Sequence, residues 1–391
     1  MPYYRSVGDV PRKRHSTHLQ PGGDRYAEEL MGQEGFSSSS SLLYHRHSPS
    51  AIVSVEAVAA PDVEATADRP LVPRHLLTGQ LGASGDNDLV TGRTTLLAND
   101  DVRIGWAVAD RTSPLHRDAL GDQLVYVQSG RAVLESVFGT LEASAGFYVV
   151  VPRATTHRWV VTADAPVEAL VIESSGHVSP PRKYLSTTGQ FLEHSPYCER
   201  DQRVPVGPLV VDDSPGGDGV PVLVRNRAGL SIHVHAHHPF DVGGWDGCVY
   251  PWALDIRDFE PIVGSLHQPP PVHQTFEGPS FVVCSFVPRP FDFRPGAVKV
   301  PYHHANTDSD EVLFYSAGDF MSRAGSGIGI GSISYHPAGF VHGPQPGSVE
   351  ASIDKDRTEE VAVMIDTFRP LAVTDSARAV SDPKYPFTWA R

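Results

Sequence analysis

A mainly all-β protein built from two copies of one barrel-forming unit is what this sequence predicts, and three observations carry that reading. Glycine (35) and proline (34) are both plentiful in 391 residues, which favours many short strands joined by tight turns over a helical bundle. Short runs rich in Val, Ile and aromatics recur along the chain, bounded by Gly, Pro and Asp. The third observation is an internal repeat whose halves lie 188 residues apart, His116 beneath His304.

Taken in order, residues 1–50 form a polar N-terminal segment with a Ser run from Ser37 to Ser41, and "YAEELMG" near Tyr26 is its best helical candidate. Residues 51–175 read as a first barrel through "AIVSVEAV", "DVRIGWAVA", "DQLVYVQ", "AVLESVFG", "FYVVVP" and "APVEALVIES". Residues 176–260 begin Pro- and Gly-rich and read as a connecting arm and loop region. A second barrel, 261–391, follows through "FVVCSFVP", "EVLFYSAG", "GIGSISYHP" and "VAVMIDTF".

Composition narrows the function classes. A formal net charge of −14 without a basic stripe argues against a nucleic-acid partner. No apolar run approaches the ~20 residues of a membrane span, and "MPYYRSVGDVPRKRH" lacks an apolar signal core. Cys198, Cys248 and Cys284 lie far apart, which argues against a disulfide scaffold. The expectation is a soluble, cytoplasmic protein with no membrane partner.

The repeat carries the chemistry. "HRDALGDQLVYVQSG" (His116–Gly130) and "HANTDSDEVLFYSAG" (His304–Gly318) both open on His, carry Asp at the seventh position and run apolar to a Gly. "GFYVVVPRATTH" (Gly146–His157) then matches "GSISYHPAGFVH" (Gly331–His342) in Gly, Pro and final His. Agreement at six ordered positions in two blocks marks two copies of one β-unit. The pattern resembles the two motifs of the cupin barrels, so the expected architecture is a bicupin of two jelly-roll-like β-barrels. Alternate strand residues face one side, which lets a His and a carboxylate on adjoining strands share one ion.

The copies differ at the acid. The second has His304, Glu311 and His342; the first has His116, Gln123 and His157. Two imidazoles and a carboxylate with open positions suit non-haem Fe(II). The N-terminal copy therefore reads as metal-less and the C-terminal copy as the metal site. His303 and Asp310 remain adjacent alternatives to His304 and Glu311. A denser cluster, "SIHVHAHHPF" (Ser231–Phe240), falls outside both repeats and reads as a packed loop near a subunit contact. In "GSLHQPPPVHQTF" three prolines stiffen the backbone and present His267, and a loop histidine can serve as a proton shuttle for a phenolic substrate.

At this point the residues resemble the homogentisate 1,2-dioxygenase family. The likeness includes "LLYHRHSPS", "HHPFDVGGWDGCVYPW", "LHQPPPVHQTF", "VPYHHANTDSDEV" and "SISYHPAGFVHGPQPG". It implies Fe(II) on His304, Glu311 and His342, with His267 as the acid/base histidine. Tyr302, Asn306 and His336, together with His342, fall at positions that line the family's substrate pocket. Phe320 stands where animal members have a substrate-contacting Tyr, so another donor, His336, is expected to hold the substrate's charged end. The implied partners are a small aromatic acid and O2, and the implied assembly is a homo-oligomer, a trimer or hexamer. Two rival readings are a gentisate-type dioxygenase and a non-enzymatic cupin binding protein.

Overall fold

The computed structural model describes residues 3–59, 63–82, 87–161, 165–211 and 219–390. Short strands paired almost entirely antiparallel dominate these residues, and no helix among them is long and apolar enough to cross a membrane. In the first half, a nine-stranded sheet contains Val102–Ala109, Gln123–Ser129, Phe147–Val151 and Val167–Ser174, facing a seven-stranded sheet that contains His116–Asp118, Arg131–Ser136, Gly139–Ser144 and His157–Val161. Burial alternates along Arg131–Ser136, with Ala132 and Leu134 inside, as expected for a strand with one face on a core.

The second half centres on a six-stranded sheet of Gln274–Gly278, Phe281–Phe286, Val361–Thr367, Asp310–Ala317, Ser332–His336 and Arg74–Leu77. Asp310–Ala317 is buried on both faces, and its two faces have different neighbours. Val312 and Phe314 join a core that runs between the halves, while Leu313 and Tyr315 pack inside the second barrel with Cys284 and Met364. The shared core includes aromatic contacts across the halves, Trp106 to Phe314 at 5.5 Å and Tyr148 to Phe276 at 5.1 Å between ring centroids. Tyr126 and Ser316 hydroxyls meet at 2.7 Å across the same junction.

The domain boundaries expected from the sequence differ from this topology. Residues 176–260 are not simply an arm: Val220–Asn226 and Gly229–His235 extend the seven-stranded sheet, and Gln202–Arg203 and Trp252–Asp255 extend the nine-stranded one. Residues 212–218 of that stretch lie outside the described residues. The halves also exchange strands. Arg74–Leu77 from the first half pairs with Ser332–His336, and Ala372–Thr374 from the C-terminal end pairs with Thr94–Ala98. The helical candidate near Tyr26 is instead the strand Ala27–Gly32, paired with Ser40–His45. Six residues are too few to stabilise an isolated helix, and pairing in a hairpin satisfies their backbone groups.

That N-terminal hairpin is fastened to the rest through a histidine. His45 is buried, with Nδ1 2.6 Å from Asp241 and Nε2 3.0 Å from Glu29. Burial works against its charged form, but the bonds to Asp241 and Glu29 outweigh that and push its pKa up to about 9. A pKa above the unfolded value of about 6.5 means stability present below pH 6.5 and lost as pH rises through 9, amounting to about 3 kcal/mol at most. Urea unfolding at pH 6, 7.5 and 9.5 checks this. His45→Gln should be less stable than the parent chain at pH 6 and converge with it at pH 9.5; a pH-independent gap would contradict the charged clasp.

Candidate metal centre and its cavity

The repeated Asp sets the local geometry. Asp310 Oδ1 accepts from the Ala338 amide at 2.8 Å and Oδ2 from the Leu371 amide at 2.7 Å, and the Tyr335 hydroxyl adds a third bond at 3.0 Å. In the first copy Asp122 accepts from the Arg153 and Val178 amides at 2.8 and 2.9 Å. Arg153 and Ala338 occupy the same place in the two repeats, just after the motif proline. Asp310 thus ties down the loop that leads to His342. Strand alternation then turns the next residue, Glu311, to the opposite face.

Glu311, His304 and His342 come together there, with one donor atom from each lying within 4.8 Å of the others. Backbone bonds lock the two histidines as a pair: each amide donates to the other's carbonyl at 2.8 Å. Both rings point Nδ1 at a carbonyl, His304 at Tyr302 and His342 at Phe340, each at 3.0 Å. A carbonyl only accepts, so Nδ1 carries the proton and Nε2 is left as a lone-pair donor. The Nε2 atoms lie 3.6 and 3.2 Å from Glu311, and His342 Nε2 is buried without a hydrogen bond. An orphaned, buried imidazole nitrogen beside a carboxylate is the donor set a divalent ion fits. His303, by contrast, is exposed. Its ring lies so close to Gly343 that a Cβ there would come within 2.7 Å, so the residue after His342 has room only for glycine.

Electrostatics support a cation at this point. Burial alone would raise the Glu311 pKa, but contacts from His304, His336 and His342 outweigh it and hold the carboxyl well below its usual range. Asp366, its cross-strand neighbour, is pushed up to about 7, by burial first and then by the Glu311 charge. Among the described residues its side-chain donor is the Asn306 amide, at 3.4 Å.

The first copy meets the same need differently. Gln123 stands in the place of Glu311, and its side-chain oxygen accepts from Arg93 at 3.0 Å. Arg93 also pairs with Glu173 at 2.9 Å, and Arg225 bridges Glu173 and Asp118 at 2.7 and 3.2 Å. His116 and His157 keep the paired geometry, but two guanidiniums supply the positive charge. Among the described residues, His304, Glu311 and His342 are the one set with metal-binding geometry.

A cavity of about 360 Å³ opens on this set, lined by His304, Glu311, Tyr302 and Asn306, with His267 near its mouth. That volume is at the small end of ligand sites and suits one aromatic ring. Leu313, Met364 and Phe286 give it apolar walls. His267 Nδ1 lies 3.1 Å from Asp292, and its ring is 5.3 Å from that of Tyr302, which is 60% exposed.

Three residues expected at the pocket sit elsewhere. His336 is 1% exposed and off the cavity wall. Its Nδ1 meets Glu311 at 3.0 Å, its Nε2 meets the Tyr385 hydroxyl at 2.9 Å, and its ring stacks on His342 at 3.9 Å. Both nitrogens are engaged behind the ligands, so the geometry makes His336 a brace for Glu311 instead of a hand for substrate. Phe320 packs inside the barrel against Tyr315, at 5.0 Å between centroids. His342, also expected on the pocket wall, is buried and does not line the cavity.

Sequence reasoning passed over Asp292, Asp366, Glu360, Arg289 and Arg323, all but Asp366 on the cavity wall. None lies in either repeat motif, and Asp292 is 25 residues from the histidine it contacts. The "HVHAHH" cluster resolves into the strand Gly229–His235 and a turn in which His47 and His237 stack at 3.8 Å.

The comparisons agree with the architecture. A family model described as a cupin domain matches residues 106–173, and the mainly β topology is that of a cupin fold. Over its whole length the chain is 38% identical to "Putative dioxygenase SSO1533" of Saccharolobus solfataricus, covering 99% of that protein. Homogentisate 1,2-dioxygenase of Emericella nidulans is 28% identical over 72% of this chain, which spans 60% of that protein's length. The Bradyrhizobium diazoefficiens protein of the same name is 26% identical over 68% of this chain and 59% of its own. A solved cupin 2 conserved barrel domain protein from Leptotrichia buccalis covers 76% of this chain and 97% of its own at 10% identity, with a TM-score of 0.37.

The site's chemistry gives a direct test. Equilibrium dialysis against Fe(II), anaerobically, should find one ion per chain. Glu311→Gln should weaken binding by more than about 100-fold, since even outer partners of metal ligands contribute 10–100-fold. His116→Ala should leave it unchanged. Asp310→Asn should keep the ion while lowering stability, and loss of the ion in that variant alone would move the ligand register by one residue.

Proposed function

This chain belongs to the family of the Saccharolobus protein, and on that premise we propose that it is an Fe(II)-dependent, extradiol-type dioxygenase that opens the ring of homogentisate to give maleylacetoacetate, a step of tyrosine and phenylalanine catabolism. The observation that carries the reading is a His-Glu-His set with an orphaned His342 Nε2, of which His304 and Glu311 line a cavity sized for one ring. The 26–28% identical homogentisate dioxygenases supply the substrate class.

A ferrous ion held by His304, Glu311 and His342 would supply adjoining positions for O2 and a phenolic oxygen, making their encounter intramolecular. The protein's own contribution is position and proton traffic. His267, oriented by Asp292, faces the cavity and is suited to take the proton of a substrate hydroxyl. Leu313, Met364 and Phe286 hold the ring and exclude water, while Tyr302 and Asn306 border the metal ligands. Both atoms of O2 enter the product as one ring carbon–carbon bond breaks, so no external reductant is needed.

Oxygen uptake by the iron-loaded protein, with homogentisate and gentisate supplied separately, tests the substrate. Homogentisate should be consumed with one O2 per ring. Turnover of gentisate alone would replace this substrate with the shorter acid, and no uptake with any dihydroxyphenyl acid would leave a binding cupin. His267→Ala should keep its iron and lose on the order of 10²–10⁴-fold in turnover.

We also propose that the protein self-associates through the strand Ile52–Val58. It forms the edge of the seven-stranded sheet, and Val53 and Val55 are 66% and 58% exposed. An open apolar edge invites strand pairing or cover by another chain. Light scattering should give a multiple of the 42.4 kDa chain mass, and Val55→Lys should shift it toward one chain. A single-chain mass for the parent protein at micromolar concentration would refute this.

A further inference from the structure

The metal-binding wall explains where a phenolic oxygen goes and leaves open what receives the acid arm. Among the groups that line the cavity, Arg323 is distinctive. It ends the short turn Met321–Arg323, is 6% exposed, and its side chain folds back into the barrel. Nε donates to the Tyr315 hydroxyl at 2.9 Å and Nη1 to the Gly343 carbonyl at 2.9 Å. Among the described residues no carboxylate lies within ion-pair distance of it. A buried cation without a counter-ion is costly, and here it borders a cavity of ligand size.

Its surroundings narrow the occupant. Gly343 directly follows the ligand His342, and Tyr315 lies on the same strand face as Glu311, two inward positions along. Arg323 is therefore a near neighbour of the ligand set, bonded to the residue after His342. Glu311 is committed to three imidazoles. Glu360 shares the cavity wall but is not in ion-pair distance of either Arg323 or Arg289. Arg289, the other guanidinium on the wall, lies over the Phe286 ring at 5.5 Å and gives Nη1 to the Val287 carbonyl at 3.0 Å. The two alternative anchors fail on geometry: His336 has both nitrogens engaged behind Glu311, and Phe320 has no donor.

We infer that Arg323 is the carboxylate anchor of the cavity, so that its ligands are aromatic acids with a short acid arm on the ring carbon next to the metal-binding hydroxyl. The ring-opening reaction proposed above depends on this subsite for substrate choice, and the inference rests on that reading for the identity of the acid. A guanidinium fork matches a carboxylate in shape as well as charge, which a lysine in the same place would not.

Calorimetric titration of the zinc-loaded protein, where no turnover occurs, tests the anchor. The probes are homogentisate, its neutral amide, and phenylacetate, which has the acid arm and no hydroxyls. The parent chain should prefer homogentisate over the amide by on the order of 10²-fold, the range of a charge-assisted hydrogen-bonded pair. Arg323→Gln should collapse that preference to about threefold or less, leave amide affinity nearly unchanged, and abolish phenylacetate binding. Should Arg323→Gln not fold, Arg323→Lys keeps the charge without the fork and should lose about tenfold for the acid alone. A preserved acid preference in these variants, or its loss in Arg289→Gln instead, overturns the assignment. Phenylacetate separates the two claims: its Arg323-dependent binding in a protein that consumes no O2 would keep the anchor and remove the ring-opening reading.

Discussion

One buried carboxylate in each repeat fixes the rest. Asp122 and Asp310 each accept with one oxygen from a backbone amide of the loop that carries the second motif's histidine, Arg153 or Ala338, and with the other from an amide outside it, Val178 or Leu371. Charged acceptors make strong bonds to amides, and an amide left buried without one is expensive. The loop therefore has one stable position, and with it the histidine at its end. Since Asp310 must face the loop, strand alternation leaves Glu311 no choice but the barrel interior. The tie is present whether or not the acid position is a carboxylate, and the Gln123 copy retains the same paired histidines.

The two copies can be compared as solutions to one electrostatic problem. Each barrel brings a carboxylate, Glu173 or Asp366, opposite the motif acid position on the neighbouring strand. In the first copy the motif residue is neutral Gln123, and Arg93 and Arg225 neutralise what remains. In the second, Glu311 and Asp366 stand side by side, and neither has an arginine in ion-pair distance. Like charges at that separation force protons on or draw a cation in. Asp366 is pushed up to about 7, by burial first and by the Glu311 charge second. A divalent ion on Glu311 would offset that charge, so the second barrel is electrostatically incomplete in the sense that matters for metal binding.

Much of this was legible in the sequence. The six shared landmarks of the repeat gave the barrel units, because Gly, Pro, His and Asp each stand at a turn, a ligand position or a backbone tie that admits few substitutes. Glu311 against Gln123 marked which copy differs. The exchanged strands Arg74–Leu77 and Ala372–Thr374 were not legible, because four or three residues carry too little periodicity to assign to a distant partner. His336 misled for a related reason. The motif places it at the strand end beside the site, but only the fold reveals that Tyr385, 49 residues on, takes its second nitrogen and holds the ring behind Glu311.

The cavity's charge arrangement completes the argument. The chain is acidic overall, at −14, yet Lys299, Arg289 and Arg323 all line this one opening. Lys299 gives its ammonium to the Asp292 carbonyl beside His267, near the mouth, while Arg323 lies deep. Three carboxylates, Asp292, Glu311 and Glu360, share that wall, so what matters is where each cation sits and not a uniformly positive opening. The apolar stretch of Leu313, Met364 and Phe286 between the polar groups then selects for a flat ring over a simple anion. A buried guanidinium, apolar side chains and polar groups around one cavity match the carboxylate, ring and hydroxyls of an aromatic acid. That polarity is independent of the metal, because each cation is held by the protein itself: Arg323 by the Tyr315 hydroxyl and Gly343 carbonyl, Lys299 by the Asp292 carbonyl, and Arg289 by the Val287 carbonyl.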